Sequence, residues 1–355
     1  MKIAQVRQYI IALLLVAMPS ILHAQEVDGI EKLNSISTPE KITSLAFLPR
    51  SSMLVYLDES GKITIHNLVN DEKDSWPAGF AASKLQISKN GKYLAVGGNK
   101  SIAIFEVATH KQVMYHDDFG EPDILRFDPK TSNILIYTVD PKKLMYHNIE
   151  NGDRMQIKTV HPLFYFNYQD SGEFLVVGTK ISTYSVNLNT GNTKVFYKQN
   201  QQGESNVERL GLWDDHCRPL AFIDSGKYFY TRPFGNFKRY ITIFDTATGE
   251  LEDNIYVDYN VALEQNLDPL GISEEKNLVL IPLSISEKPV QPGAKMALFN
   301  LKTLKRENLV ATYSFKKKAK GKAKLFSDLS DNGKFIAIYC PSCEKPTLDI
   351  FRVKY

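Results

Sequence analysis

Cysteine is scarce in this chain, and its scarcity limits how the fold can be held together. The 355 residues include only three cysteines, Cys217, Cys340 and Cys343. Secreted domains that depend on disulfides carry many more for their length. We therefore expect a core held by the packing of apolar side chains, with at most one disulfide.

Local catalytic motifs are absent as well. The sequence has no G-x-S-x-G nucleophile elbow, no H-E-x-x-H zinc motif, no P-loop and no glycine-rich dinucleotide turn. We therefore name no catalytic residue and expect no cofactor. A site assembled from several distant segments would leave no local motif, so an enzyme stays open as an alternative.

A strong charge of one sign is also missing. Lys and Arg number 43 against 40 Asp and Glu, which gives a formal net charge of +3. So small an excess creates no global field that would attract nucleic acid or an anionic membrane. The charge balance thus argues against both partners.

The only long apolar run lies at the N-terminus. Two basic residues precede an apolar stretch that Pro19 interrupts, and Ala24 supplies a small residue at its end. This layout is typical of a secretory signal peptide, whereas a membrane-spanning helix needs a longer unbroken run. We predict that residues 1–24 are removed and that residues 25–355 form a secreted or periplasmic chain without an integral membrane segment.

What the sequence does contain is a repeated hairpin pattern. The stretch ISKNGKYLAVG at 87–97 returns almost unchanged as LSDNGKFIAIY at 329–339. Each combines a short apolar segment, turn-forming Ser, Asn and Gly, and a second apolar segment. Equivalents of Ile87 recur at spacings of 40 to 57 residues, at Phe47, Phe127, Tyr168, Phe222, Ile272 and Leu329.

Repeats of this length, each built from four short strands, predict an all-β fold, a seven-bladed β-propeller of four-stranded antiparallel blades. The last repeat ends with its third strand, because the chain stops at Tyr355. Residues 25–36 have no sheet of their own. We expect this segment to form the outer strand of blade 7, where it closes the ring and covers an exposed edge.

The repeats resemble WD40-like β-propellers across essentially the whole mature chain. The Gly-His and Trp-Asp pairs that mark WD40 repeats do not recur here. The S-(D/K)-N-G-K hairpin is instead similar to that of bacterial envelope propellers, such as the Tol-system translocation propeller. The resemblance implies a protein that acts by binding other proteins, although a fold does not assign a function by itself.

The extra residues of the longer repeats fall in loops that should emerge on one face. Loops on a rigid scaffold commonly carry binding sites, whereas drift in tolerated surface loops is the competing explanation. We predict a non-catalytic scaffold that uses this face to bind a protein partner in the cell envelope or extracellular space. The alternatives are a lactonase-like or dehydrogenase-like enzyme with a small-molecule site at the channel mouth, and a polyanion or glycan binder.

The partner-binding candidates are aromatic, acidic and basic side chains in these loops. Lysines between 316 and 324 form a run that is either a solvated loop or a contact for an acidic partner, polyanion or glycan. No aromatic residue is interleaved with them, which argues against single-stranded nucleic acid. The candidates are Trp213, Asp214, Asp215, His216, Phe234, Phe237, Arg239, Lys316, Lys317 and Lys318.

Two acidic clusters next to histidine contain residue types that can bind a divalent ion. They are Asp214-Asp215-His216 and His116-Asp117-Asp118, both expected in loops of the same face. Neither has a fixed ligand spacing, and Asp in such loops commonly makes turns. We predict no metal site.

Cys340-Pro341-Ser342-Cys343 is the candidate for a disulfide. A β-turn with Pro in second position brings its ends within reach of a disulfide. Two free thiols and a redox-active pair are the alternatives. A redox-active pair needs a feature such as a helix N-terminus to lower a thiol pKa, and this pair follows a predicted strand.

Overall fold

The structure is a computed structural model whose described residues form 28 strands, arranged in seven four-stranded antiparallel sheets. None of the described residues is helical, and so none lies in a helix that could cross a membrane. The described residues are 27–38, 40–117, 122, 124–140, 143–158, 163–168, 172–179, 182–187, 190, 192–198, 217–223, 228–233, 240–245, 251–256, 271–273, 275–284, 293–300, 306–316 and 325–355.

Six of these sheets use four consecutive strands each, and we number them in chain order. Sheet 1 contains β2 (Ile42–Phe47), β3 (Met53–Asp58), β4 (Lys62–Asn67) and β5 (Lys73–Pro77). Sheet 2 contains β6 (Lys84–Ile87), β7 (Tyr93–Gly98), β8 (Ser101–Glu106) and β9 (Gln112–His116). Sheet 3 contains β10 (Leu125–Phe127), β11 (Ile134–Asp140), β12 (Lys143–Asn148) and β13 (Arg154–Lys158).

The next three sheets repeat this order. Sheet 4 contains β14 (Leu163–Tyr168), β15 (Phe174–Thr179), β16 (Ser182–Asn187) and β17 (Thr193–Lys198). Sheet 5 contains β18 (Cys217–Ile223), β19 (Tyr228–Pro233), β20 (Tyr240–Asp245) and β21 (Leu251–Tyr256). Sheet 6 contains β22 (Ile272–Ser273), β23 (Leu278–Ser284), β24 (Gly293–Asn300) and β25 (Arg306–Ser314).

Sheet 7 joins the two ends of the chain. It contains β26 (Phe326–Leu329), β27 (Phe335–Tyr339), β28 (Leu348–Lys354) and, on its outer edge, β1 (Gly29–Ile36). Strand β1 runs antiparallel to β28, with Gly29 opposite Lys354 and Ile36 opposite Leu348. The prediction that an N-terminal strand completes the last blade is therefore confirmed.

The first strands of neighbouring sheets lie against each other. Strand β2 contacts both β6 and β26, and β6 contacts β10, as expected if first strands are innermost. Between sheets 1 and 7, the apolar side chains of Ile42 and Leu54 pack with Ala337 and Ile350. Sheet 2 packs against sheet 1 on one face and sheet 3 on the other, so its middle strand β7 is buried along its whole length.

The repeated hairpin motif has a structural explanation. In the turn that begins at Ser88, its hydroxyl accepts the N–H of Tyr93 at 2.8 Å, and Asn90 Oδ1 accepts the N–H of Lys92 at 2.9 Å. The turn that begins at Ser330 repeats both bonds with equivalent residues, at 2.9 and 3.0 Å. The glycines of these turns have φ of 71° and 69°, a left-handed conformation that costs glycine little.

These hairpin turns also touch from sheet to sheet. The N–H of Arg50 in sheet 1 donates to Asp331 Oδ2 in sheet 7 at 3.3 Å, and the N–H of Asn90 donates to Ser132 Oγ in sheet 3 at 3.4 Å. We call this side of the molecule, formed by the turns between first and second and between third and fourth strands, the hairpin face. The opposite side, formed by the connections between second and third strands and between sheets, is the loop face.

Candidate functional site

The two faces differ in how much their connections vary. All connections on the hairpin face have four to six residues, whereas those on the loop face range from two residues to eighteen. The longest connections all lie in the second half of the chain, at residues 199–216, 257–271 and 315–325. A uniform turn is what a repeated structural unit requires, so the variable loop face is the candidate functional surface.

One of these long connections was missed in the sequence. Strand β21 ends at Tyr256 and β22 begins at Ile272, so the connection 257–271 is long. The repeat pattern placed Ile272 at the start of this sheet but gave no bound for the end of β21, so the length of this connection did not follow from the spacing.

Nine of the ten partner-binding candidates lie outside the described residues, but the strand ends that carry several of them are described. Cys217, the residue after His216, pairs with Pro233, the residue before Phe234. The segments bearing Trp213 and Phe234 therefore leave sheet 5 from directly opposed positions. The candidates outside the description are Trp213, Asp214, Asp215, His216, Phe234, Phe237, Arg239, Lys317 and Lys318.

The tenth candidate, Lys316, is exposed and begins the lysine run. Its backbone N–H donates to the carbonyl of Ser342 at 2.9 Å, and the preceding Phe315 forms a β-bridge with Cys343. These contacts bring together two segments that the sequence placed on one face but could not place side by side. The lysine run thus starts from the turn that holds the cysteine pair.

Cys340 and Cys343 are disulfide-bonded in the structure, and their Cα atoms lie 5.4 Å apart. Both cysteines are buried in one apolar cluster with Phe315 and Leu325. Phe315 and Leu325 also flank the segment 316–324. The disulfide turn therefore packs against both ends of the connection that carries the lysines.

His116 is placed differently from the sequence expectation. It is the last residue of β9 rather than part of a loop, and its ring lies against that of His147 in sheet 3, with centroids 5.4 Å apart. Burial and the nearby charge of Arg154 lower the pKa of both histidines, that of His147 to about 4. Within the described ranges, no three residues among His, Cys, Asp and Glu are grouped to hold a metal ion.

A titratable carboxyl group lies where the ring closes. Asp328 Oδ2 accepts the N–H of Phe47 from sheet 1 at 2.7 Å, and Oδ1 accepts the N–H of Leu329 at 2.9 Å. Burial raises the pKa of Asp328 to about 7, although both N–H groups favour the charged form. This contact is structural, because it ties the first strands of sheets 7 and 1.

Comparisons with known proteins agree with the architecture. No protein-family model matches the chain, and neither does any curated protein. Solved structures similar to it include the β-propeller domain of Cps50 (Swd1) from Myceliophteria thermophila, with a TM-score of 0.62 and 12% identity. That likeness covers 92% of this chain and 100% of the other. It shows the fold, a β-propeller, as the repeats predicted.

Proposed function

We propose that the protein is a non-catalytic scaffold that binds a protein partner through its loop face. The observation that carries this proposal is the contrast between the faces: uniform, mutually bonded turns on one and connections of very unequal length on the other. Neutral drift would be expected to lengthen turns on both faces. The three longest connections all lie on one face and in one half of the chain, which favours selection for a contact surface.

The described part of the loop face is suited to holding such a surface in place. The lysine run leaves a stem fixed by the Lys316–Ser342 hydrogen bond and by the buried disulfide. The segments with Trp213 and Phe234 leave from adjacent strand ends. Fixed attachment points reduce the conformational entropy that loops lose on binding.

We further propose that the mature protein acts in the periplasm or outside the cell. The N-terminal pattern of residues 1–24 supports export. A cysteine pair bonded in the structure is also consistent with an oxidising compartment, where such bonds persist.

The test is affinity capture of crosslinked partners from the native compartment, with one face altered at a time. In the first variant, residues 234–239 are replaced by Asn-Lys, the pair that joins β7 and β8 in this chain. In the control, Asn151→Ala changes an exposed hairpin-face turn. A specific partner should be lost with the first variant and kept with the second. Loss with the control alone, or capture unchanged by both, would contradict the assignment.

A further inference from the structure

The tripeptide Met-Tyr-His occurs twice, at 114–116 in β9 and at 145–147 in β12. Residues two apart in a strand point to the same face of the sheet. Each methionine therefore points the same way as the histidine that follows it. Strand β9 belongs to sheet 2 and β12 to sheet 3, so the copies come from neighbouring blades.

The two copies face each other in the contact between these sheets. Met114 and Met145 are buried in one apolar cluster with Tyr137, and the rings of His116 and His147 have centroids 5.4 Å apart. His147 is 4% exposed, and its Nδ1 atom is buried without a hydrogen-bond partner. A buried imidazole nitrogen without a partner costs free energy and calls for an explanation.

We propose that Met114, His116, Met145 and His147 form a site for a soft monovalent metal ion of the Cu(I) class. Thioether sulfur is a ligand that selects Cu(I), and imidazole also suits copper. Metal–imidazole bonds are about 2 Å long, as in zinc sites, so one ion can span two facing rings after a small adjustment. The partnerless Nδ1 of His147 would then gain a ligand bond.

The local charges favour a monovalent ion over a divalent one. Arg154 lies directly opposite His147 in the β12–β13 ladder, and its positive charge acts on both rings. Repulsion between cations grows with the charge of the ion. The acidic group that acts on His116 is that of Asp117, which is exposed, and the described residues offer no further carboxylate, imidazole or thiol to make a group of three.

The experiment uses the full mature chain, residues 25–355, in a Cys217→Ser background. That substitution removes a thiol that would compete for the same ions. Ag(I) in chloride-free buffer is the probe, because it takes soft ligands without a redox step, and native mass spectrometry and calorimetry give stoichiometry and affinity. We expect one ion per chain. Met114→Leu and Met145→Leu should each weaken binding at least tenfold, since Leu preserves the packing volume and removes the sulfur.

Met296→Leu is the matched control, because Met296 is also a buried methionine but lies in the core of sheet 6. It should bind Ag(I) like the parent. Arg154→Gln should strengthen binding by removing the opposing charge. X-ray absorption of the Cu(I)-loaded parent should show sulfur neighbours, a readout that does not depend on any variant folding. No bound ion, equal affinity of parent and Met114→Leu/Met145→Leu, or a spectrum without sulfur would overturn the proposal.

Discussion

Ser35 and Asp349 are separated by 314 positions in the chain, and the Ser35 hydroxyl donates a 2.7 Å hydrogen bond to the Asp349 carboxylate. Lys32 Nζ lies 2.9 Å from the same carboxylate oxygen, Asp349 Oδ1. The Tyr313 hydroxyl donates a 3.0 Å hydrogen bond to the second oxygen, Asp349 Oδ2. One buried carboxylate therefore joins β1, β28 and sheet 6. These side-chain contacts add to the backbone pairing of β1 with β28, which closes the ring.

Asp349→Ala should destabilise the protein. The substitution leaves the buried Tyr313 hydroxyl without its acceptor, and an unsatisfied buried polar group typically costs about 1–3 kcal/mol. Urea unfolding followed by circular dichroism measures the change. The control is Glu31→Ala, which breaks the exposed Glu31–Lys354 ion pair in the same strand pair and should leave the midpoint almost unchanged. Equal effects of the two substitutions would show that burial of Asp349 does not matter.

Deleting residues 25–36 should lower the melting temperature of the whole propeller. The deletion removes β1, exposes the edge of β28 and leaves the Asp349 carboxylate without Ser35 and Lys32. Differential scanning calorimetry compares the truncated protein with one lacking only residues 25 and 26, which keeps β1. If both melt at the temperature of the mature chain, β1 does not stabilise the ring.

The sequence predicted those parts of the fold that depend on local chemistry. The Ser-x-Asn-Gly turns are formed by bonds within five residues, so they can be read from one repeat. The closing strand followed from a missing fourth strand in the last repeat. The partners of Asp349, the Lys316–Ser342 bond and the His116–His147 contact all join different sheets. Those contacts depend on the three-dimensional arrangement of the ring, which periodicity does not encode.

Asp328 should make the stability of the ring depend on pH. Its pKa is raised to about 7 in the folded protein from 3.8, so folding favours the protonated form. The stabilisation is therefore fully present below pH about 4 and is lost as pH rises through about 7. Asp328→Asn imitates the neutral acid at all pH values. Its stability should therefore not fall in this way as pH rises.

Urea unfolding of the parent and Asp328→Asn at pH 5, 6, 7 and 8 measures the effect. The difference in free energy of unfolding should shift in favour of the variant as pH rises. The pKa of His147 is lowered to about 4. Its contribution to the free energy of unfolding is therefore lost as pH falls, opposite to that of Asp328. It is present in both proteins and cancels in the comparison. Parallel pH profiles would rule out a raised pKa at Asp328.

Protein isolated from an oxidising compartment should contain the Cys340–Cys343 disulfide, with Cys217 as a free thiol. Mass spectrometry of peptides after alkylation without reduction detects both states. The bond closes a very short loop, so reduction removes little chain entropy and should cost only about 1–2 kcal/mol. Alkylated Cys340 and Cys343 in unreduced protein would contradict the prediction.

Once a partner is identified, the aromatic and the lysine candidates should affect different rate constants. Trp213→Ala or Phe237→Ala should weaken binding by more than about 1 kcal/mol, mainly through faster dissociation, because buried aromatic anchors dominate interface energy. Neutralising the lysines between 316 and 324 should instead slow association at low salt, because exposed charges steer an encounter more than they hold the complex.

Surface plasmon resonance at two salt concentrations separates these effects, with Thr190→Ala on the hairpin face as the control. Thr190 is exposed, so its substitution should change neither rate constant. A polyanion binder would behave differently, because neutralising the lysines would then abolish binding while the aromatic substitutions left it intact. Loss of binding with Thr190→Ala, and none with Trp213→Ala or Phe237→Ala, would place the partner on the hairpin face and refute the proposed site.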